Sequence, residues 1–293
     1  AVFSANLQTT GALTESGIQA STIINELEGN LHSYAIRVEG EISYIDGLIA
    51  AQNLIIEQSQ NRMELSAQLS EEISANWHLE IPDISQLYPS SGGAVSSTGS
   101  VSGSRNQPVL EGYVEARALE FGATQLESLQ VNLGNLSNSE ARVNIQAEGL
   151  VYPGFEEVDL AVQLLGGLDR QQFEVLAAQS NRELSFRGFG SLAEESWSVG
   201  LTELELLDID LGQWTLESEV QINANTSDIL ISPLCLQNNP SRFCAQGRYQ
   251  LTRDFELAAN SSNLELSLFK PLYSQALELE GSISGDLRLT SLA

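Results

Sequence analysis

Apolar and polar residues alternate almost without interruption from one end of this chain to the other, and that alternation constrains the fold more than any other feature. Val143, Ile145 and Ala147, then Val158, Leu160, Val162 and Leu164, then Leu184 and Phe186, each place every second side chain on one face of a strand. Such runs are broken by Gly, Asn, Ser or Pro and then resume, and a helical period is nearly absent. The expected fold is all-β: a long, repetitive sheet with one wet face and one apolar face. With 42% hydrophobic residues in 293, the chain carries enough apolar surface for one large unit or two ordinary domains.

Charge narrows the partners. Asp and Glu number 39 against 13 Lys and Arg, a formal net charge of −26, and Lys270 is the one lysine. A polyanion is repelled by such a surface, which argues against nucleic acid, and an anionic bilayer is equally unattractive. The acids read most simply as the solvated face of the sheet. No stretch approaches the roughly 18 consecutive apolar residues of a membrane helix, and the opening AVFSANLQTT has no signal-peptide pattern. Strand pattern is already present at Val2 and Phe3 and persists at Leu287 and Leu289, so the chain is expected to be a piece of a longer repetitive molecule whose anchor lies elsewhere.

The two cysteines, Cys235 and Cys244, flank the turn signal Asn238-Asn239-Pro240 and are expected near facing positions of a hairpin. A bridge there implies an oxidising compartment such as the periplasm; the other reading is two reduced, half-buried thiols. A metal site is disfavoured, because two thiolates need further ligands and His32 and His78 are the only histidines.

Two brief exceptions to the strand pattern, Ile81 to Pro89 and Leu268 to Tyr273, are expected as helical turns, the first capped by Asp83. The first is followed by Gly99-Ser100-Val101-Ser102-Gly103 and the second, at nearly the same distance, by Gly281-Ser282-Ile283-Ser284-Gly285, which suggests a long repeat with module boundaries near 90 and 274. The Ser/Gly-rich run from Ser90 to Thr98 is read as a strand edge within one continuous 1–293 segment, with a true domain boundary near residue 90 as the alternative. Between Leu204, Leu206 and Leu207, Ile209, Leu211 the register slips, which calls for a bulge or a turn.

Catalytic chemistry finds no support. The acidic pairs Glu71-Glu72, Glu156-Glu157 and Glu194-Glu195 have no evident partner that shifts a pKa, and His78 alternates outward beside an inward Trp77. Gly92-Gly93 and Gly166-Gly167 precede neither a helix nor a lysine and are expected as turn glycines. No catalytic residue, cofactor or metal is assigned.

Three stretches in order carry a resemblance: Leu87-Tyr88-Pro89 through the Gly-rich run to Gly103-Ser104 and Leu110; residues 204–216, with Leu211-Gly212-x-Trp214-x-Leu216; and Leu234-Cys235 through Phe243-Cys244 to Gly247. Together they resemble the TamB family, related to the AsmA-like proteins, over most of the chain. The chain departs from the family in showing neither its N-terminal membrane helix nor its C-terminal domain, and is expected to be a middle segment. The resemblance implies a curled sheet, the β-taco, with an open aliphatic groove. It further implies a periplasmic protein anchored in the inner membrane that moves glycerophospholipids between the two membranes. The alternative role is to assist assembly of outer-membrane β-barrels and autotransporters, alongside the barrel partner TamA.

A physical argument stands beside it. Carrying about 30 methylenes through water costs ~24 kcal/mol, and a non-directional apolar face removes that barrier while letting acyl chains slide. The candidate lipid-groove residues are Leu129, Val131, Leu133, Val143, Ile145, Val158, Leu160, Val162, Leu184, Phe186, Trp197, Val199 and Leu201. Alternation alone fits a closed core, as in a β-helix or sandwich, equally well; the resemblance points to the open groove.

Overall fold

The computed structural model describes residues 3–15, 17–31, 34–137, 140–167, 169–193, 196–250, 254–268 and 280–291. His32, Glu194, Glu195, Lys270, the boundary near 274 and most of the second expected helical turn lie outside them. The chain forms two compact units, residues 1–159 and 160–293.

The first unit is an antiparallel meander in chain order: β1 (Phe3–Thr14), β2 (Gly17–Leu31), β3 (Tyr34–Ile45), β4 (Leu48–Gln58), β5 (Asn61–Leu69), β6 (Glu72–Ile81), β7 (Ser91–Ser104), β8 (Gln107–Phe121), β9 (Thr124–Leu136) and β10 (Arg142–Leu150). Local chemistry sets the connections. Asp46 and Gly47, at φ 51° and 86°, make the two-residue β3–β4 turn that an Asp-Gly pair favours. Between β6 and β7 the expected turn of helix appears as a 3-10 segment, η1 (Ile84–Gln86), with the Asp83 carboxylate accepting from the Ser85 N–H. From Ser91 onward the Ser/Gly-rich run is part of strand β7. Gly92-Gly93, expected in a turn, lies inside that strand, where the register shifts and Gly93 takes φ 104°.

β11 (Val158–Gly167) straddles the division between the units. The second unit holds β12 (Arg170–Gln179), β13 (Arg182–Ala193), β14 (Ser196–Asp208), β15 (Gly212–Leu216), β16 (Val220–Ala224), β17 (Asp228–Asn238), β18 (Ser241–Gln250), β19 (Phe255–Glu265) and β20 (Ser282–Thr290). β12, β13 and β14 pair in turn. β15 and β16 then act as one interrupted strand, both pairing β14 on one side and β17 on the other, and β18, β19 and β20 follow. The slip beyond Leu206 resolves as a turn: β14 ends at Asp208, whose carboxylate accepts from the Asp210 and Leu211 N–H groups.

Bulges fall in lines across neighbouring strands. In the first unit the register shifts at Asn25 of β2, Gly40 of β3 and Asn53 of β4 are adjacent. Gly40 has φ 144°, and a Cβ there would sit 2.8 Å from Leu54 Cα, so only glycine fits. In the second, the bulge at Thr202, the break at 217–219 and the bulge at Ser232-Pro233 line up in the same way. A bulge bends its strand and sharpens its twist, so each line creases the sheet.

Candidate functional site

Strand register turns alternation into surfaces. In the first unit one row of opposed residues runs Ala5, Leu27, Val38, Ile56, Met63, Leu79, Ser97, Val114, Val131, Ile145 through ten strands. The adjacent row, on the opposite face, reads Ser4, Glu28, Arg37, Glu57, Arg62, Glu80, Ser96, Glu115, Gln130, Gln146. The second unit repeats the segregation: Gly190, Val199, Ile222, Ile231, Gly247, Leu257 and Leu289 form one row, and Leu192, Trp197, Ala224, Ile229, Tyr249 and Phe255 another.

Most side chains of the apolar rows are half-buried. Among the described residues the buried large apolar side chains are Leu201, Trp214 and Val220. Apart from η1 against β7, the closest contacts between described elements join strands hydrogen-bonded to one another. The chain exposes 18623 Å². A compact body of its mass exposes about 12,000 Å², and two separate bodies of half that mass about 15,000 Å². The excess is surface that compact packing would bury.

Most of the expected groove residues meet across strands. Leu129, Val131 and Leu133 of β9 oppose Ala147, Ile145 and Val143 of β10, all on the apolar face, and every one but the buried Ala147 is half-buried. Val158, Leu160 and Val162 take alternate, half-buried positions on β11. Leu184 and Phe186 oppose Leu206 and Leu204, and Phe186 meets Phe173 edge-on at 6.2 Å. Trp197, Val199 and Leu201 oppose Ala224, Ile222 and Val220; Trp197 is 41% exposed, whereas Leu201 is buried. The odd-numbered Trp197, Val199 and Leu201 share a face with the even-numbered Leu204 and Leu206 because the bulge at Thr202 shifts the phase by one. Sequence reasoning passed over the first half of the face, from Leu27 to Leu79, although Met63, Leu65, Ala67 and Ile73, Ala75, Trp77, Leu79 alternate as cleanly.

The polar face is laced by arginines paired with glutamates of the same strand, a neighbouring strand or an adjoining break. Arg37 reaches Glu28 at 2.9 Å, Arg62 lies between Glu57 and Glu64, Arg187 between Glu174 and Glu203, and Arg242 bonds Glu217 at 2.7 Å. The hydrogen bond from Arg37 holds the Glu28 carboxyl below its ordinary pKa. Asp228 is held low by Gln250, Arg248 and Ser227. At Asp208 burial pushes the pKa up, but the Leu211 and Asp210 N–H groups and Arg182 outweigh it and leave the carboxyl low. These are exposed or hydrogen-bonded carboxylates, each held low by its hydrogen-bond donors.

Cys235 and Cys244 face each other in β17 and β18 and are joined by a disulfide. Cys244 opposes Asn260, which opposes Asp286, so the bridge lies on the polar side, beside the crease at Ser232-Pro233. The two sulfurs also lie near Glu217, the one grouping among the described residues with metal-ligand proximity, but a disulfide offers no thiolate. No described helix is long and apolar enough to cross a membrane.

These features define a class: an antiparallel β-protein of successive paired strands, in which strand register segregates an apolar face from a polar one within each unit. The family described as TamB, N-terminal domain, matches residues 1–291, and the chain belongs to it. It is similar to the Translocation and assembly module subunit TamB of Haemophilus influenzae (strain ATCC 51907 / DSM 11121 / KW20 / Rd), at 20% identity over 297 residues. The match takes in 99% of this chain and 22% of the relative, so the chain spans less than a quarter of that relative's length. No solved structure matches the chain.

Proposed function

We propose that each unit carries a stretch of an apolar track for the acyl chains of glycerophospholipids, within a bridge-like protein that moves lipid between the inner and outer membranes. The observation that carries this reading is the row from Ala5 to Ile145, continuous through ten strands, apolar at every position but Ser97, and partly exposed at all the others. Its apolar members take hydrocarbon out of contact with bulk water, which is favourable by ~0.8 kcal/mol per buried methylene, and since the contacts are non-directional no step of the path binds tightly. Under this reading the protein resides in the periplasm, is anchored in the inner membrane through segments outside this chain, and meets TamA at the outer membrane through other regions. The chain acts by binding and not by catalysis.

Lipid extraction and native mass spectrometry of the purified intact polypeptide test it. Co-purifying diacyl lipid is expected; a lipid-free protein that keeps its fold would defeat the reading. A second role is favoured by the edges. Among the described residues, β1 and β20 pair on one side alone and are exposed throughout, which suits strand addition by an unfolded β-barrel client. Saturable binding of barrel-strand peptides, abolished by a proline in β1, would support that role.

A further inference from the structure

The apolar row through Leu65, Trp77, Gly99, Gly112 and Leu133 contains two successive glycines. Trp77 occupies the space they leave. A Cβ on Gly99 would fall 2.2 Å from Cζ2 of its ring, and a Cβ on Gly112 would fall 3.4 Å from the same atom. The indole therefore lies across β7 and β8 along the floor of the face instead of standing away from it, the arrangement by which an aromatic ring shields cross-strand glycines. Its Nε1–H donates to Ser97 Oγ at 3.0 Å, and Ser97 is the one hydroxyl in the apolar row from Ala5 to Ile145 apart from which every member is aliphatic or thioether. That bond satisfies the ring's polar atom on a surface facing hydrocarbon and fixes the ring's tilt. Without it the N–H would seek water, and the ring would have to rise to find it.

We propose that Trp77 is a specificity-determining residue of the track. Laid on the Gly99 and Gly112 saddle and tethered to Ser97, its ring keeps the floor shallow enough for the hydrocarbon chains of a diacyl lipid to cross β6 to β8. A ring forced upright closes the track at that point. This inference rests on the lipid reading above and adds to it the place where passage is gated by side-chain height.

The test is made in cells, on the intact polypeptide, with photo-crosslinkers at Ile56 on β4 and at Ile145 on β10, which lie on either side of β6 to β8. Gly112→Val adds methyl groups where the ring lies. Its Cβ comes no closer than 3.2 Å to backbone, at Thr98 O, so the strands yield slightly and the ring must move. The ratio of diacyl lipid captured at the two positions is expected to change about fivefold, the effect of losing contact for one or two methylenes. Adding Trp77→Ala to Gly112→Val should return the ratio to the wild-type value. An unchanged ratio in Gly112→Val, or a changed ratio that Trp77→Ala does not restore, overturns the inference. Should Gly112→Val lose capture at both positions through misfolding, Ser97→Ala decides: it keeps both glycines and removes the tether alone, and a ratio equal to wild type would refute the role of Trp77. Absence of lipid at both positions in the wild-type protein would instead defeat the lipid reading itself.

Discussion

Ile145→Asp puts a carboxylate into the apolar row, and its consequence follows from the row's geometry. Ile145 is half-buried and opposes Val131, so the aspartate keeps access to water and the strand pair survives. What changes is the track. A charged group keeps a strip about one strand spacing wide hydrated, ~4.8 Å, which about four methylenes span. Holding those methylenes in water costs ~3 kcal/mol at ~0.8 kcal/mol each. Passage across β10 should therefore slow on the order of 100-fold. The assay follows pulse-labelled glycerophospholipid from the inner to the outer membrane, in cells whose one copy of the protein carries the substitution. Gln146→Asp, adjacent in sequence but on the polar face, is the control and should leave the rate unchanged. Equal rates for the two variants at equal protein levels would refute the argument, since the two differ in face alone.

Other consequences are about stability and are read by denaturation. Val220→Ala should cost about 2 kcal/mol, because Val220 is fully buried against Leu201, whereas Val38→Ala on the half-exposed face should cost under about 1 kcal/mol; equal losses would mean that the sheet has a hidden second layer. Replacing Cys235 and Cys244 together by serine should destabilise the second unit by about 2–3 kcal/mol through the short loop they close, and an unchanged midpoint would show that the bridge contributes nothing. Asp208 has a folded-state pKa below its unfolded one, so its contribution to stability is present above about pH 4 and is lost as pH falls through the folded value. Asp208→Asn should then be less stable than wild type at pH 7 and lose less on acidification; parallel pH profiles would contradict this.

The alternation that made the chain legible as strands also fixed which residues share a face within one strand, as for Val143 and Ile145. It did not reveal phase between strand segments. Trp197, Val199 and Leu201 run on odd numbers and Leu204 and Leu206 on even ones, and the bulge at Thr202 that unites them is a property of pairing with β13. The break at 217–219, with Trp214 and Val220 buried on either side of it, was hidden for the same reason: residues 216–220 read Leu-Glu-Ser-Glu-Val, which carries no strong turn signal. Whether the apolar face is a core or a surface could not be read from period at all, since both place the same residues on one side. That distinction depends on whether a second layer exists, a matter of long-range topology. The Trp77 saddle is non-local too, formed by one residue from each of three strands.

The lipid reading depends on hydrocarbon touching one face of the sheet and not the other. Photo-crosslinkers placed singly at Arg37, Val38, Gln130, Val131, Ile145 and Gln146 of the intact polypeptide in cells test this most directly. Capture of diacyl lipid at Val38, Val131 and Ile145, with none at their immediate neighbours, is the expected result. Capture on both faces alike, or on neither, would contradict it.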